Sequence, residues 1–247
     1  MSTVTVPVLH SEWIKIRSLR ACVGSLLAVL LVTCAITLLV AGSVGEAEAA
    51  EPGADLLLGA FFGINFGQVA AVAFGATAFA AEFHNGALRV SLSAVPDRTR
   101  FYLAKTTVIA AAALGTGTVT GFAAFLGGQA LMGDHALALD DPGALRAVFG
   151  SGLYLMLMAL LAAGLTALLR SGAAVLGLLI PFLLILPFVI GEVAGGAAQY
   201  LPDRAGQVVL HQTPPGSLGP WTGLGVTALW ALTALLAGWV AVRCRDA

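Results

Sequence analysis

Six stretches of this 247-residue chain contain no Asp, Glu, Lys or Arg: 21–42, 56–81, 106–132, 147–169, 173–191 and 221–242. A helix that crosses a bilayer needs about 20 predominantly apolar residues, and the runs are 19 to 27 residues long. Their number and length predict an all-α integral membrane protein with six transmembrane helices. Composition agrees, with 59% hydrophobic and 10% charged residues, against about 45–50% and about 25% in soluble domains. A soluble core of this size cannot hide so much apolar surface, so a soluble enzyme, a nucleic-acid binder and a disordered chain are excluded. The solvent must be the lipid bilayer.

Charge distribution predicts the orientation. Net charge is −1, but with six spans Lys15, Arg17, Arg20, Arg89, Arg98, Arg100, Lys105, Arg170, Arg243 and Arg245 share one side, against Arg146 and Arg204 on the other. Loops rich in Lys and Arg stay cytoplasmic. Both termini are therefore expected in the cytoplasm, with the multi-pass chain in a plasma membrane. Glu46, Glu48, Glu51, Asp55, Asp134, Asp140, Asp141, Glu192 and Asp203 all fall on the outer side. The segment Ala47-Glu48-Ala49 before Ala50 resembles a secretory cleavage site. However, the 22-residue apolar run ahead of it exceeds the roughly 7–15 residues of a signal core.

Three segments do not span. Residues 8–20 place Leu9, Trp13 and Ile16 on one helical face, with Lys15 and Arg17 elsewhere. That pattern predicts a basic amphipathic helix at the headgroups, so the chain divides into 1–20 and a six-span domain, 21–247. Residues 82–105 carry two apolar stripes, one of Phe83, Ala87, Val90 and Ala94 and one of Leu88, Leu92 and Val95. A short helix with two such faces suits burial on both sides, ended by Pro96 and followed by a helix that Asp97 caps. Glu82 either marks the lipid boundary, paired with a basic residue such as Arg89, or belongs to a gate with His84. The outer segment 192–220 is too apolar for a solvated loop and too rich in proline for a span. It predicts a short helix-turn-helix dipping into the outer leaflet, with Asp203 and Arg204 at its turn.

Inside the spans, Gly59, Gly63 and Gly67 recur every four residues, as do Gly117 and Gly121. Small-xxx-small faces let helices approach closely. Asn65 and Gln68 are the conspicuous polar groups of span two, suited to hydrogen bonds between helices or to lining a pathway. Pro181 and Pro187 predict kinks in span five. Cys22, Cys34 and Cys244 have no metal or disulfide spacing, and His10, His84, His135 and His211 are scattered. No phosphate-binding loop surrounds Lys15 or Lys105, and no hydrolase or metalloprotease motif occurs. The chain is expected to have no catalytic residue, metal or cofactor of its own.

The segment Glu82-Phe83-His84-Asn85-Gly86-Ala87-Leu88-Arg89-Val90-Ser91-Leu92, followed by Pro96, resembles a loop of permease subunits in type-2 ABC exporters. There the loop after the second span reads E-[FY]-x-x-G-[TA]-[LI]-R-x-[ST]-L, then a proline and basic residues. Ser11-Glu12-Trp13-Ile14-Lys15-Ile16-Arg17-Ser18 is similar to the S-E-W-x-K-[LI]-R-[ST] opening of actinobacterial members of the drug- and antibiotic-export type. The resemblance implies a half-transporter. Its partners would be a second permease chain, as homo- or heterodimer, and separate ATPase subunits holding ATP and magnesium. Residues 8–20, with Trp13, Lys15, Ile16 and Arg17, would form the interfacial helix. Glu82, Phe83, Gly86, Leu88, Arg89, Leu92 and Pro96 would form the coupling helix. The cargo would be an amphipathic drug, antibiotic, peptide or lipid. The alternative is a multi-span membrane protein that transports nothing, such as an immunity or scaffold bundle.

Overall fold

The computed structural model describes residues 5–185, 189, 195–214 and 216–244, and every regular element among them is a helix. The chain opens with α1 (Thr5–Ser18), breaks at the extended Leu19 (φ −83°, ψ 108°), and enters α2 (Arg20–Val40). α2 runs on through a widened π turn, Ala41–Gly45, into α3 (Glu46–Ala49). This helical run overshoots the expected end of the first span because Glu and Ala are good helix formers and no proline intervenes before Pro52.

The second apolar stretch is broken rather than continuous. α4 (Leu56–Ala60) is capped by Asp55, whose carboxylate accepts from the Leu58 N–H at 3.0 Å. A turn follows, and then α5 (Ile64–Ala80). The Gly63 N–H at that break donates to the Thr37 hydroxyl of α2 (3.2 Å), which satisfies the backbone where the helix restarts. After the short α6 (Ala87–Ala94), Asp97 caps α7 (Arg98–Gln129) through the N–H groups of Thr99 and Arg100. α8 (Ala144–Leu169) starts after Gly143 and stops at Arg170, both at positive φ. Ser171 caps α9 (Gly172–Leu184), and α10 (Pro202–Gln207) precedes the last helix, α11 (Pro220–Cys244).

α8 is the axis of the bundle, with α5, α7 and α11 packed around it. α2 lies in the groove between α5 and α7, and α9 rests on α5 and α8. Small residues set these distances. A Cβ on Gly75 would run into the Ala159 carbonyl oxygen, and one on Gly164 would lie 2.6 Å from the Ala234 carbonyl carbon. The outward sides of α2 and α11 expose Leu27, Leu31, Leu39, Leu229, Leu232 and Leu236, a surface suited to lipid and not to water.

Five helical runs are long and apolar enough to cross a membrane: Arg20–Ala49, Ile64–Phe83, Arg98–Gln129, Ala144–Leu169 and Pro220–Cys244. α9 has 13 residues, about 20 Å at 1.5 Å per residue, which is short of a hydrocarbon core of about 30 Å. Pro181 sits inside it. Much of the expected fifth span beyond Ile185, including Pro187, lies outside the described residues, as does Glu192. The ends of the bundle differ in charge. One, the basic end, gathers α1, the start of α7 and the close of α11, where Arg98 donates to the Val242 carbonyl (2.9 Å). The other, the acidic end, gathers α3, α4, α10 and the start of α8.

Candidate functional site

The densest polar arrangement lies at the basic end, under α6. Two carboxylates and two ammonium groups alternate there in a closed ring. Lys105 of α7 donates to Glu82 Oε1 (2.5 Å) and lies 3.0 Å from Glu12 Oε2. Lys15 of α1 donates to Glu12 Oε1 (2.7 Å) and to Glu82 Oε1 (3.0 Å). The two lysines are the only ones in the chain. Lys105, Glu82 and Glu12 are each at most 3% exposed at the side chain, whereas Lys15 is 35% exposed. Such burial is tolerated because every charge meets two opposite ones. Burial alone would lower the Lys15 ammonium, but the Glu12 and Glu82 carboxylates hold it above its ordinary value.

Ser91 ties α6 into the ring. Its hydroxyl donates to Glu82 Oε2 (2.8 Å) and accepts from the Lys15 ammonium (2.9 Å). The turn that brings α6 back over Glu82 uses two left-handed residues, Asn85 (φ 52°) and Gly86 (φ 71°). Asn and Gly adopt that region at the least steric cost. Phe83 is half-buried and carries the Arg170 guanidinium 5.9 Å from its ring centroid.

The faces of α6 are unequal. Leu88 is buried, and Leu92 and Val95 are half-buried. Arg89, Val90, Ser93 and Ala94 are exposed, Val90 to 70%, and so is Pro96. The expected stripe of Leu88, Leu92 and Val95 therefore packs toward the protein, while Val90 and Ala94 of the other stripe look away. Glu82 departs from its expected pairing too: its cations are Lys105 and Lys15, 23 and 67 residues distant in sequence, where Arg89 was the expected neighbour. His84 is exposed.

α1 also turns differently from its periodicity. Val8, Glu12 and Ile16 are its buried face, with Leu9 half-buried, Trp13 40% exposed and Arg17 exposed. A buried Glu12 contradicts a purely apolar inner stripe. The signal that could have revealed it is Glu12 three residues before Lys15, together with the restriction of both lysines to this end.

The predicted packing glycines meet neighbouring helices of the same chain. Gly63 and Gly67 abut Thr33 of α2, Gly59 faces Met132, Gly117 faces Gly152, and Gly121 faces Ser151 and Val148 of α8. Asn65 is half-buried and donates locally to the Phe62 carbonyl (3.1 Å). Gln68 is buried, and its Oε1 accepts from the Tyr154 hydroxyl of α8. That hydroxyl accepts in turn from Gln207 of α10 (3.3 Å).

At the acidic end Asp55 fastens the segment after α10 to the cap of α4. Its carboxylate accepts from the Gln212 N–H (3.1 Å) and faces His211 Nδ1 at 3.0 Å. Arg146 donates to the His211 carbonyl (2.5 Å). Burial would raise the Asp55 carboxyl, but its bonds with His211, Leu58 and Gln212 hold it below its ordinary value. A cavity of about 320 Å³ adjoins it, lined by Glu48, Glu51, Asp55, Leu58, Phe62 and Met132 among others. The three cysteines are free thiols, and no group of three His, Cys, Asp or Glu among the described residues could hold a metal ion. No protein-family model matches the chain, and no curated protein matches it.

Proposed function

We propose that the chain is the membrane subunit of an ATP-driven ABC exporter, working as a dimer with a separate ATPase. Its basic end would face the cytoplasm of a bacterial cell, and α9 with the residues after it would make the sixth crossing. The observation that carries this reading is the mounting of α6. One side is tied through Ser91 to a buried ring joining α1, α5 and α7, and Leu88 on it is buried, while Val90 and Ala94 face away from the protein. A helix fixed on one side and exposed on the other can pass a push from a partner into three helices together. A freely solvated loop could not. The chain holds no nucleotide-binding motif, so the energy must come from that partner. The cargo class that fits an apolar bundle is an amphipathic drug, antibiotic, peptide or lipid.

The test is purification of the tagged chain from its native membrane in mild detergent, with mass spectrometry of what travels with it. An ATPase carrying G-x-x-x-x-G-K-[ST] is expected. Val90→Asp should lose that subunit and still insert in the membrane. If no ATPase accompanies the unmodified chain, the exporter reading fails and a bundle without transport takes its place.

A further inference from the structure

Among the described residues, Asp203 is the one acidic side chain whose burial the fold leaves without explanation. It lies in the first turn of α10, is 5% exposed, and its Oδ1 has no hydrogen-bond partner among the described residues. A buried carboxylate with an unfilled oxygen is costly when ionised. The hydroxyls that meet α10 are already committed: Thr227 donates to the Pro202 carbonyl (2.8 Å), and Tyr154 accepts from Gln207 and donates to Gln68. The fit around α10 is tight. A Cβ on Gly206 would strike the Tyr154 ring, and one on Gly223 would strike the Ala205 carbonyl oxygen. Asp203 lines neither the cavity beside Asp55 nor the one along Ala41–Ala47. A hydrated cation needs room that this packing does not offer, whereas a proton needs none.

We propose that Asp203 is a proton-binding site, protonated while α10 is seated against α8 and α11, and releasing its proton to the adjoining aqueous phase when α10 unseats. The other titratable groups around α10 are few. α8 brings Tyr154 and, at its end, Arg146, which is turned to the His211 carbonyl. α11 has Arg243 and Cys244, both at the far end. The helical turn Gly195–Tyr200 brings Tyr200, half exposed, and Val208–Leu210 brings none, with His211 beyond it bound to Asp55. α5 brings the neutral Gln68. On α10 itself burial pushes the Asp203 carboxyl up to about 6, outweighing the backbone N–H groups of Arg204 and Asp203 and the Arg204 charge, which favour the ionised form.

The sign follows from the direction of that displacement. A carboxyl raised in the seated state binds a proton there that the unseated state has released, so seating is favoured in acid and weakens as pH rises toward 6. From 3.8 to about 6, at tenfold per pH unit, the seated-to-unseated ratio falls about a hundredfold. This site does not depend on the exporter reading, and its test needs no ATPase.

The experiment is infrared spectroscopy of the full chain in lipid nanodiscs, unlabelled and with ¹³C-aspartate, titrated from about pH 5 to about pH 8, where exposed aspartates stay ionised. A carbonyl band of a protonated carboxyl that shifts with the label and vanishes through about pH 6 is expected. It should be missing in Asp203→Asn. Hydrogen exchange over 202–210, corrected for intrinsic rate, should rise with pH in the natural chain and stay flat in D203N. An aspartate spectrum with no protonated carboxyl at about pH 5 overturns the proposal, even if the variant fails to fold. So does exchange that responds to pH equally in both chains.

Discussion

Lys105→Met tests whether the buried ring holds the basic end together. Lys105 is 1% exposed and touches both carboxylates, at 2.5 and 3.0 Å. Met keeps most of the side-chain volume but leaves Glu12 and Glu82 sharing one cation, Lys15, in a site almost without water. Removing one partner of a buried ion pair typically costs about 3–5 kcal/mol. Lys15 still reaches both carboxylates, at 2.7 and 3.0 Å, so the lower figure, about 3 kcal/mol, applies. For a chain of this size that is a fall in melting temperature of roughly 6–12 °C, measured by thermal unfolding in detergent. Glu82→Gln provides the control. With Glu82 neutral, Lys105 has lost its shortest contact, so adding Lys105→Met should cost less than it does in the natural chain, with a coupling of about 0.5–3 kcal/mol. If the two costs simply add, the ring is not a unit and the reasoning is refuted.

Lys15→Met should cost clearly less than Lys105→Met in the same melting assay, because Lys15 is 35% exposed and an exposed pair contributes only about 0–1 kcal/mol. Leu88→Ala and Val90→Asp should separate the two faces of α6. The first empties a buried site and lowers stability by about 2 kcal/mol, while the second leaves the melting temperature near that of the natural chain. The Asp55 latch should respond to acid in the opposite sense to Asp203. A carboxyl held below its ordinary value stabilises above that value, here 3.8, and loses the effect as pH falls through its lowered position. Hydrogen exchange at 211–214 should therefore accelerate below about pH 4, and Asp55→Asn should raise it at neutral pH as well.

What the sequence makes legible here is what lipid imposes. Helices must satisfy their own backbone within a bilayer, so long uncharged runs translate almost directly into helices, and Gly63, Gly67, Gly117 and Gly121 into close approaches. Asp97 as the cap of α7 is equally readable, because a cap depends on residues only two and three positions away. The break at 61–63 is not readable in this way. Residues 56–81 carry no charge to mark it, and the N–H freed at the break is met by Thr37 on another helix, which offers its hydroxyl to Gly63.

The candidate site was half legible, and the missing half shares one physical cause. Periodicity sorts residues by hydrophobicity, so it assigns a carboxylate to the polar face of any helix. Glu12 and Glu82 go inward because Lys105 arrives from α7 to meet both, a coincidence of three segments separated by as many as 93 positions. The same blindness left Asp203 at the turn of an outer segment, although it is buried on α10, against which Tyr154 of α8 and Thr227 of α11 pack. A span with no charge in its sequence can therefore border buried ionisable groups at both ends. In this bundle α5 does so: the Glu82 turn follows one end of it, and near the other Gln68 bonds Tyr154, which packs against Gly206 on the helix that carries Asp203. Seventeen residues of unbroken helix make a rod of about 25 Å. A displacement of the ring must then either bend that rod or reach Gln68.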